Sequence, residues 1–150
     1  MPWTEQTTVN WGHWDLESWM ARPLPEHLLE RFNYDQETYD IRFLEDLLAR
    51  VGEAPDILTH LGYLYTQARR YRDALAVDQR LVALRPRDPL AFYNLACSYA
   101  LLGKVNRGFE TLKQAIALGY RDLEHMYDDD DLENLRGDPR WNDLVSVIKT

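Results

Sequence analysis

The chain has 150 residues, of which 45% are hydrophobic, and its formal net charge is -8 at pH 7. This length accommodates one domain or a short array of repeats, and the hydrophobic content is enough to form a buried core. The negative charge argues against binding to nucleic acid or to an anionic membrane surface, and it favours a neutral or basic protein partner.

No sequence feature indicates secretion or membrane insertion. The N-terminus has neither a basic start nor an apolar run that resembles a signal peptide. No stretch approaches the roughly 18 consecutive apolar residues of a membrane span. The single cysteine, Cys97, cannot form a disulfide within the chain. We therefore expect a soluble protein in a reducing, cytoplasmic setting, without a membrane partner.

Residues 1–22 form a tryptophan-rich segment, which holds four of the five tryptophans of the chain: Trp3, Trp11, Trp14 and Trp19. Tryptophan buries a large area with few rotatable bonds and often dominates binding interfaces. Two roles are open for these rings: they bind a partner or a second copy, or they cover an end of the chain's own core. Residues 1–55 sum to -7 and residues 56–122 to +4, so charge favours association of this segment with the middle of the chain, in the same copy or a neighbouring one.

Residues 23–54 are predicted to form a helix pair that caps the rest of the chain, with one helix at residues 25–33 and the other at residues 39–51. The second helix carries an apolar stripe made of Tyr39, Phe43, Leu44, Leu47, Leu48 and Val51. The stripe is expected to face the core of the protein.

An internal repeat covers residues 55–122. An offset of 34 residues aligns residues 55–88 with residues 89–122, and seven of the 34 positions are identical. The identical pairs are Pro55 and Pro89, Leu61 and Leu95, Tyr65 and Tyr99, Ala83 and Ala117, Leu84 and Leu118, Arg87 and Arg121, and Asp88 and Asp122. Apolar residues recur at helical spacing within each unit, which predicts two amphipathic helices per unit.

Proline, glycine and aspartate predict where these helices begin and end. The two helices of a unit are separated near residues 68–71 in the first repeat and at Gly103 in the second, where glycine can adopt the left-handed conformation that ends a helix. Between the repeats, Pro86 ends one helix because it lacks an amide donor. Asp88 then caps the next helix, with Pro89 in its first turn.

Residues 123–150 are predicted to form a shortened third repeat and a capping helix. A short helical turn is expected at residues 132–135, and Asp138 followed by Pro139 is typical of the start of a last helix. The acidic run at residues 128–131 lacks the alternating spacing and the distal glutamate of a helix-loop-helix calcium site. We interpret one of these aspartates as a cap for the turn that follows.

The two repeats resemble the tetratricopeptide-repeat (TPR) family, whose pattern is W-x2-L-G-x2-Y followed by a small residue, a bulky residue and a proline. The matching residues are Leu58, Leu61, Gly62, Tyr65, Tyr71, Ala74, Leu84 and Pro86 in the first unit, and Phe92, Leu95, Ala96, Tyr99, Gly103, Gly108, Leu118 and Tyr120 in the second. The chain departs from the pattern at Asp78, where a bulky residue is typical, and at Tyr120, which replaces proline. The resemblance implies an all-α, TPR-type helix-turn-helix solenoid with superhelical repeats, two repeats and degenerate flanking helices.

The resemblance also implies a concave groove, lined in the TPR family by the first helix of each repeat. Matching position by position places there Thr59, His60, Tyr63, Thr66 and Gln67 from the first unit, and Tyr93, Asn94, Cys97, Ala100 and Leu101 from the second. Family members that bind a C-terminal carboxylate use basic residues and asparagines at defined positions. Only Asn94 fits that set, because the other positions hold Thr59, Tyr63, Glu124 and Asp128. Binding of that kind is therefore not expected.

The sequence contains no pattern typical of catalysis, a metal site or a cofactor. One cysteine and four scattered histidines do not supply a tetrahedral metal set, and the glycines form no phosphate-binding loop. We expect no enzyme activity, and we expect an interaction module or scaffold that binds a peptide or protein in the groove. The alternative is a structural protein that self-assembles, for example as a homodimer, through its tryptophan-rich segment or its end caps.

Overall fold

The computed structural model describes residues 36–149, and all regular secondary structure in this range is helical. The elements are α1 (Gln36–Val51), α2 (Pro55–Gln67), α3 (Tyr71–Leu84), α4 (Pro89–Leu101), α5 (Val105–Ala117), α6 (Leu123–Asp128), a 3-10 turn (Asp130–Leu132), α7 (Glu133–Arg136) and α8 (Arg140–Lys149). From α1 to α5, each helix packs against the next one in the chain. The predicted all-α helical-repeat architecture is therefore confirmed. The helix predicted at residues 25–33 lies outside the described residues.

The turns inside the two repeats have the same backbone structure. The turn after α2 contains Arg69 with a positive φ of 57°, and the turn after α4 contains Gly103 with a φ of 68°. The next amide in each turn donates to the carbonyl five residues earlier, at 2.8 Å from Arg70 and 2.9 Å from Lys104. These bonds satisfy carbonyls that a helix end leaves unpaired, so both helices end where the sequence predicts.

Aspartate side chains cap α4 and α8 as the sequence predicts. Asp88 accepts hydrogen bonds from the amides of Leu90 and Ala91, at 2.9 and 3.4 Å. Asp138 Oδ1 accepts from the amide of Arg140, the first residue of α8, at 3.0 Å. Each carboxylate satisfies an amide of the first helical turn, and its charge is favourable at the positive end of the helix dipole.

The apolar stripe predicted on α1 is only partly correct. The structure buries Ile41 and Leu48 of this helix, whereas Tyr39, Phe43 and Val51 are each more than half exposed. Leu44 packs against the core between the two buried residues. Positions 41, 44 and 48 share one face at the helical period, and this face contacts α2. Tyr39 and Phe43 lie on the opposite side of the helix from this face, so the predicted stripe was too wide.

The core of the described chain consists of two apolar clusters. The first cluster joins α1, α2 and α3, and its fully buried members include Leu58, Leu61 and Leu81. The second joins α4 and α5 to the C-terminal elements. Its large buried side chains include those of Phe109, Leu112, Met126, Leu132 and Leu135. The short C-terminal elements are thus part of the core of the second repeat.

The C-terminal region contains one helix that the sequence pattern did not predict. α6 is only six residues long, too short to show a helical period, and Asp122 caps it by accepting from the His125 amide at 3.0 Å. Asp129 caps the 3-10 turn by accepting from the Asp131 amide, which confirms that an aspartate of the acidic run is a cap. Within residues 36–149, no group of three or more His, Cys, Asp or Glu side chains is arranged to hold a metal ion.

None of the helices in the described range combines the length and the apolar character that crossing a membrane requires.

Small residues occupy equivalent positions on α3 and α5. Ala74 is completely buried in the first cluster. A Cβ atom added at Gly108 would lie 3.1 and 3.2 Å from the two Leu135 methyl carbons and 3.6 Å from the Ala96 carbonyl oxygen. Gly108 is therefore small because α7 and α4 approach it closely.

Replacing Ala74 with leucine is expected to lower the free energy of unfolding by about 1–3 kcal/mol, because a larger side chain must displace its packed neighbours. Chemical denaturation monitored by helical circular dichroism measures this change. Ala76→Leu, on the exposed side of the same helix, is the matched control and should leave stability nearly unchanged. Equal stability of the two variants would contradict the packing described for α3.

Candidate functional site

The central cavity has a volume of about 270 Å³ and lies between the first helices of the two repeats. Its walls are formed by α2, α3, α4, α6 and the acidic segment after α6. The lining residues are Thr59, Gly62, Tyr63, Thr66, Gln67, Asp78, Tyr93, Asn94, Cys97, His125, Asp129 and Asp131. The cavity therefore combines aromatic, amide and carboxylate side chains from both repeats.

Most of the residues predicted to line the groove lie in this cavity. They are Thr59, Tyr63, Thr66 and Gln67 from α2, and Tyr93, Asn94 and Cys97 from α4. Three predicted residues do not line it. His60 is exposed on α2, Ala100 is buried in the second apolar cluster, and Leu101 is the half-buried last residue of α4. The four tryptophans of the N-terminal segment lie outside the described residues. Partner binding by all of these residues stays a prediction.

Tyr93 is held in one orientation at the wall of the cavity. Only 2% of this residue is exposed, and its hydroxyl donates to Asp129 Oδ2 at 2.7 Å. Its ring stacks on that of Tyr120, with centroids 4.4 Å apart. Burial, followed by the nearby negative groups, raises the pKa of the Tyr93 hydroxyl well above its usual value, so this group stays a neutral donor.

Cys97 is a buried thiol beside the same carboxylate. Its Sγ atom donates to Asp129 Oδ2 at 3.6 Å, and 7% of the residue is exposed. Burial raises the pKa of the Cys97 thiol well above its usual value, and the charges of Asp129, Asp131 and Asp78 raise it further. A thiol in such surroundings is a poor nucleophile because the reactive thiolate is disfavoured.

Asp78 is a buried carboxylate at the contact between the repeats. It projects from α3 and is 4% exposed, and Ser98 Oγ of α4 donates to its Oδ2 at 2.6 Å. Burial raises the pKa of Asp78 to about 6, against the opposing effect of the Ser98 hydrogen bond. A Cβ at Gly62 would lie 2.8 Å from Asp78 Oδ1. Gly62 is thus required to be small by the carboxylate that replaces the bulky residue of the repeat pattern.

Asp129 and Asp131 bring two further carboxylates to the cavity. Asp129 Oδ1 accepts from the amide of Asp131 at 3.0 Å, and its Oδ2 lies 3.7 Å from His125 Nε2. Burial raises the pKa of Asp131, and the neighbouring charges of Asp129 and Asp130 raise it further. Negative charge is thus concentrated at this end of the cavity.

The sequence did not indicate that Asp78, His125, Asp129 and Asp131 line the cavity. For Asp78 a signal was present, because a charged residue at a position that is bulky in the repeat pattern marks a buried polar group. The other three residues lie in the segment after the second repeat, which does not follow the repeat pattern closely. The resemblance placed Glu124 and Asp128 of this segment at groove positions, but it did not show that the neighbouring His125, Asp129 and Asp131 line the cavity.

No family model matches the chain. It is similar to a chloroplastic protein of Arabidopsis thaliana, with 30% identity over 87 residues. The match covers 56% of this chain but only 26% of that protein. The chain therefore corresponds to about a quarter of the length of this relative.

Proposed function

We propose that this chain is a TPR-type interaction module, a scaffold or adaptor whose central cavity binds a peptide or a segment of another protein. The observation that carries the proposal is the cavity itself, which collects side chains from the first helices of both repeats. Tyr63 is 61% exposed at its edge and is accessible to a partner. Exposed aromatic side chains beside amide groups are typical of protein-binding surfaces.

The hydrogen bonds around the cavity support binding because they orient its walls in advance. Tyr93 is held by Asp129, and Asp78 is held by Ser98. Side chains that are already ordered lose little conformational freedom when a partner binds. This arrangement suits recognition of a partner segment with a defined chemistry.

The same surroundings support a role without catalysis. The thiol of Cys97 is buried and its pKa is raised, which disfavours the nucleophilic form. His125 Nε2 is 3.7 Å from Asp129, at the edge of ion-pair distance. A binding role uses these groups as walls of the site, so the proposal assigns no reaction to them.

The cellular compartment and the oligomeric state of this chain are also part of the proposal. We keep the cytoplasm as the expected compartment of this chain, while the relative from Arabidopsis thaliana is a chloroplastic protein. The alternative of self-assembly through residues 1–22 depends on tryptophans outside the described residues, so the cavity neither favours nor opposes it.

Replacing Tyr63 and Asn94 together with alanine is expected to weaken partner binding by about tenfold or more, because both side chains line the cavity. Peptides selected by the wild-type protein from a displayed random library supply the ligand, and fluorescence anisotropy measures the affinity. Leu84→Ala with Leu90→Ala is a control pair, since both residues are exposed outside the cavity. Unchanged binding by the cavity variant, with its helicity intact, would show that the cavity is not the binding site.

A further inference from the structure

The central cavity is strongly negative. Asp78 reaches it from α3, and Asp129 and Asp131 reach it from the segment after α6. All three charges contribute to the raised pKa of the Cys97 thiol, so they act on one place in the cavity wall. Among the described residues, those that line the cavity include no lysine or arginine.

The arginines of the described chain do not neutralise these carboxylates. Arg70, Arg80 and Arg85 form their ion pairs with acidic residues that do not line the cavity. Arg136 donates to the main-chain carbonyl of Asp129, not to its carboxylate. Within residues 36–149, no lysine or arginine forms an ion pair with an aspartate of the cavity. The negative charge is therefore available to a ligand.

Asp78 presents an acceptor oxygen to the cavity. Its Oδ2 accepts from Ser98, whereas its Oδ1 accepts no hydrogen bond from the described residues although only 4% of the residue is exposed. This oxygen lies beside Gly62, and both residues line the cavity. A ligand in the cavity can therefore donate to this oxygen without displacing a hydrogen bond of the protein.

The other walls of the cavity can contact both the methylene groups and the charged head of a lysine or arginine side chain. Tyr63 is exposed at the edge, and a tyrosine ring packs on methylene groups and attracts a cation to its face. Asp129 is already engaged through both oxygens, by the Asp131 amide and the Tyr93 hydroxyl. Asp131, in contrast, uses no side-chain oxygen as an acceptor within the described residues.

We propose that the central cavity binds a lysine or arginine side chain of a partner polypeptide, with the cationic head donating to Asp78 and Asp131 and the aliphatic stem packing on Tyr63. The inference rests on the proposed function and narrows it to partners with a basic segment. Charge-assisted hydrogen bonds of this kind are among the strongest in proteins, and the partly enclosed cavity increases their strength.

The experiment uses the full chain and a displayed library of random short peptides. Bound peptides are sequenced, and enrichment of lysine and arginine is compared between the wild-type protein and the Asp78→Asn/Asp131→Asn variant. Wild-type protein is expected to select basic peptides, and the variant is expected to lose this preference because both acceptors have lost their charge. Asp128→Asn is the matched control, since Asp128 is exposed and does not line the cavity.

Titration of one selected peptide makes the test quantitative. Each single variant, Asp78→Asn and Asp131→Asn, should weaken binding by about tenfold, and Asp128→Asn should leave it unchanged. A peptide in which citrulline replaces arginine, or acetyl-lysine replaces lysine, should bind the wild-type protein as weakly as the original peptide binds the double variant. Circular dichroism of every variant checks that the fold is retained.

The outcomes separate this inference from the proposed function. Selection of peptides without basic residues, through contacts that the aspartate substitutions do not affect, would overturn the inference and leave the peptide-binding module intact. Failure to select any peptide would overturn both. Enrichment of basic residues that disappears in the double variant and persists in Asp128→Asn supports both.

Discussion

Replacing Asp78 with asparagine is expected to raise the free energy of unfolding by about 1–3 kcal/mol at about pH 8. Burial raises the pKa of this carboxyl to about 6 in the folded protein. Between about pH 4 and 6 the folded state holds a proton that the unfolded chain has released. The stabilising contribution of the protonated group is therefore complete below about pH 4 and is lost as the pH rises through 6. Asparagine keeps an acceptor for Ser98 without the buried charge.

Chemical denaturation across this pH range measures the effect. The free energy of unfolding of the wild-type protein should fall between about pH 4 and 6 by the amount that Asp78 contributes. In Asp78→Asn this fall should be absent. Ser98→Ala should have the opposite effect and lower stability most at high pH, because the Ser98 hydroxyl stabilises the ionised carboxylate. Asp128→Asn, at an exposed aspartate, is the control. Parallel curves of stability against pH for Asp78→Asn and the wild-type protein would contradict this prediction.

Replacing Leu135 with alanine is expected to lower the free energy of unfolding by about 2–5 kcal/mol. The side chain is completely buried in the second apolar cluster although α7 has only four residues. Its methyl carbons lie against Gly108 of α5, so the substitution leaves a cavity at the contact between the repeat and the C-terminal segment. Denaturant unfolding measures the loss, and Leu90→Ala, at an exposed leucine, should change stability much less.

A second substitution tests the contact itself. Gly108→Ala alone places a methyl group 3.1 Å from Leu135, whereas in the Leu135→Ala background the same methyl group has space. The double variant is therefore expected to be more stable than the sum of the single changes predicts. Gly137→Ala is the matched control, because a Cβ there meets nothing within 4 Å and the backbone has ordinary helical angles. Simple additivity would contradict direct contact between the two residues.

The sequence by itself determined the helices of the repeats, because their signals are local. These signals are the 34-residue offset, the prolines at the helix starts and the caps at Asp88 and Asp138. Each depends on residues that are a few positions or one repeat apart, and the structure has helices at those places. The resemblance to the TPR family implied that Tyr63 and Asn94 line a groove, and both residues line the central cavity.

Only the tertiary structure decided which charges meet in the central cavity. Asp129 is 36 residues from Tyr93 in the chain, and Asp78 is 20 residues from Ser98. Such contacts arise when the C-terminal elements fold back on α4 and when α3 packs on α4. The raised pKa of Asp78 also depends on this packing, because the exposure of a side chain is set by all the elements around it. A sequence pattern with helical period specifies which face of a helix is apolar, but the partner of that face depends on the packing of the whole chain.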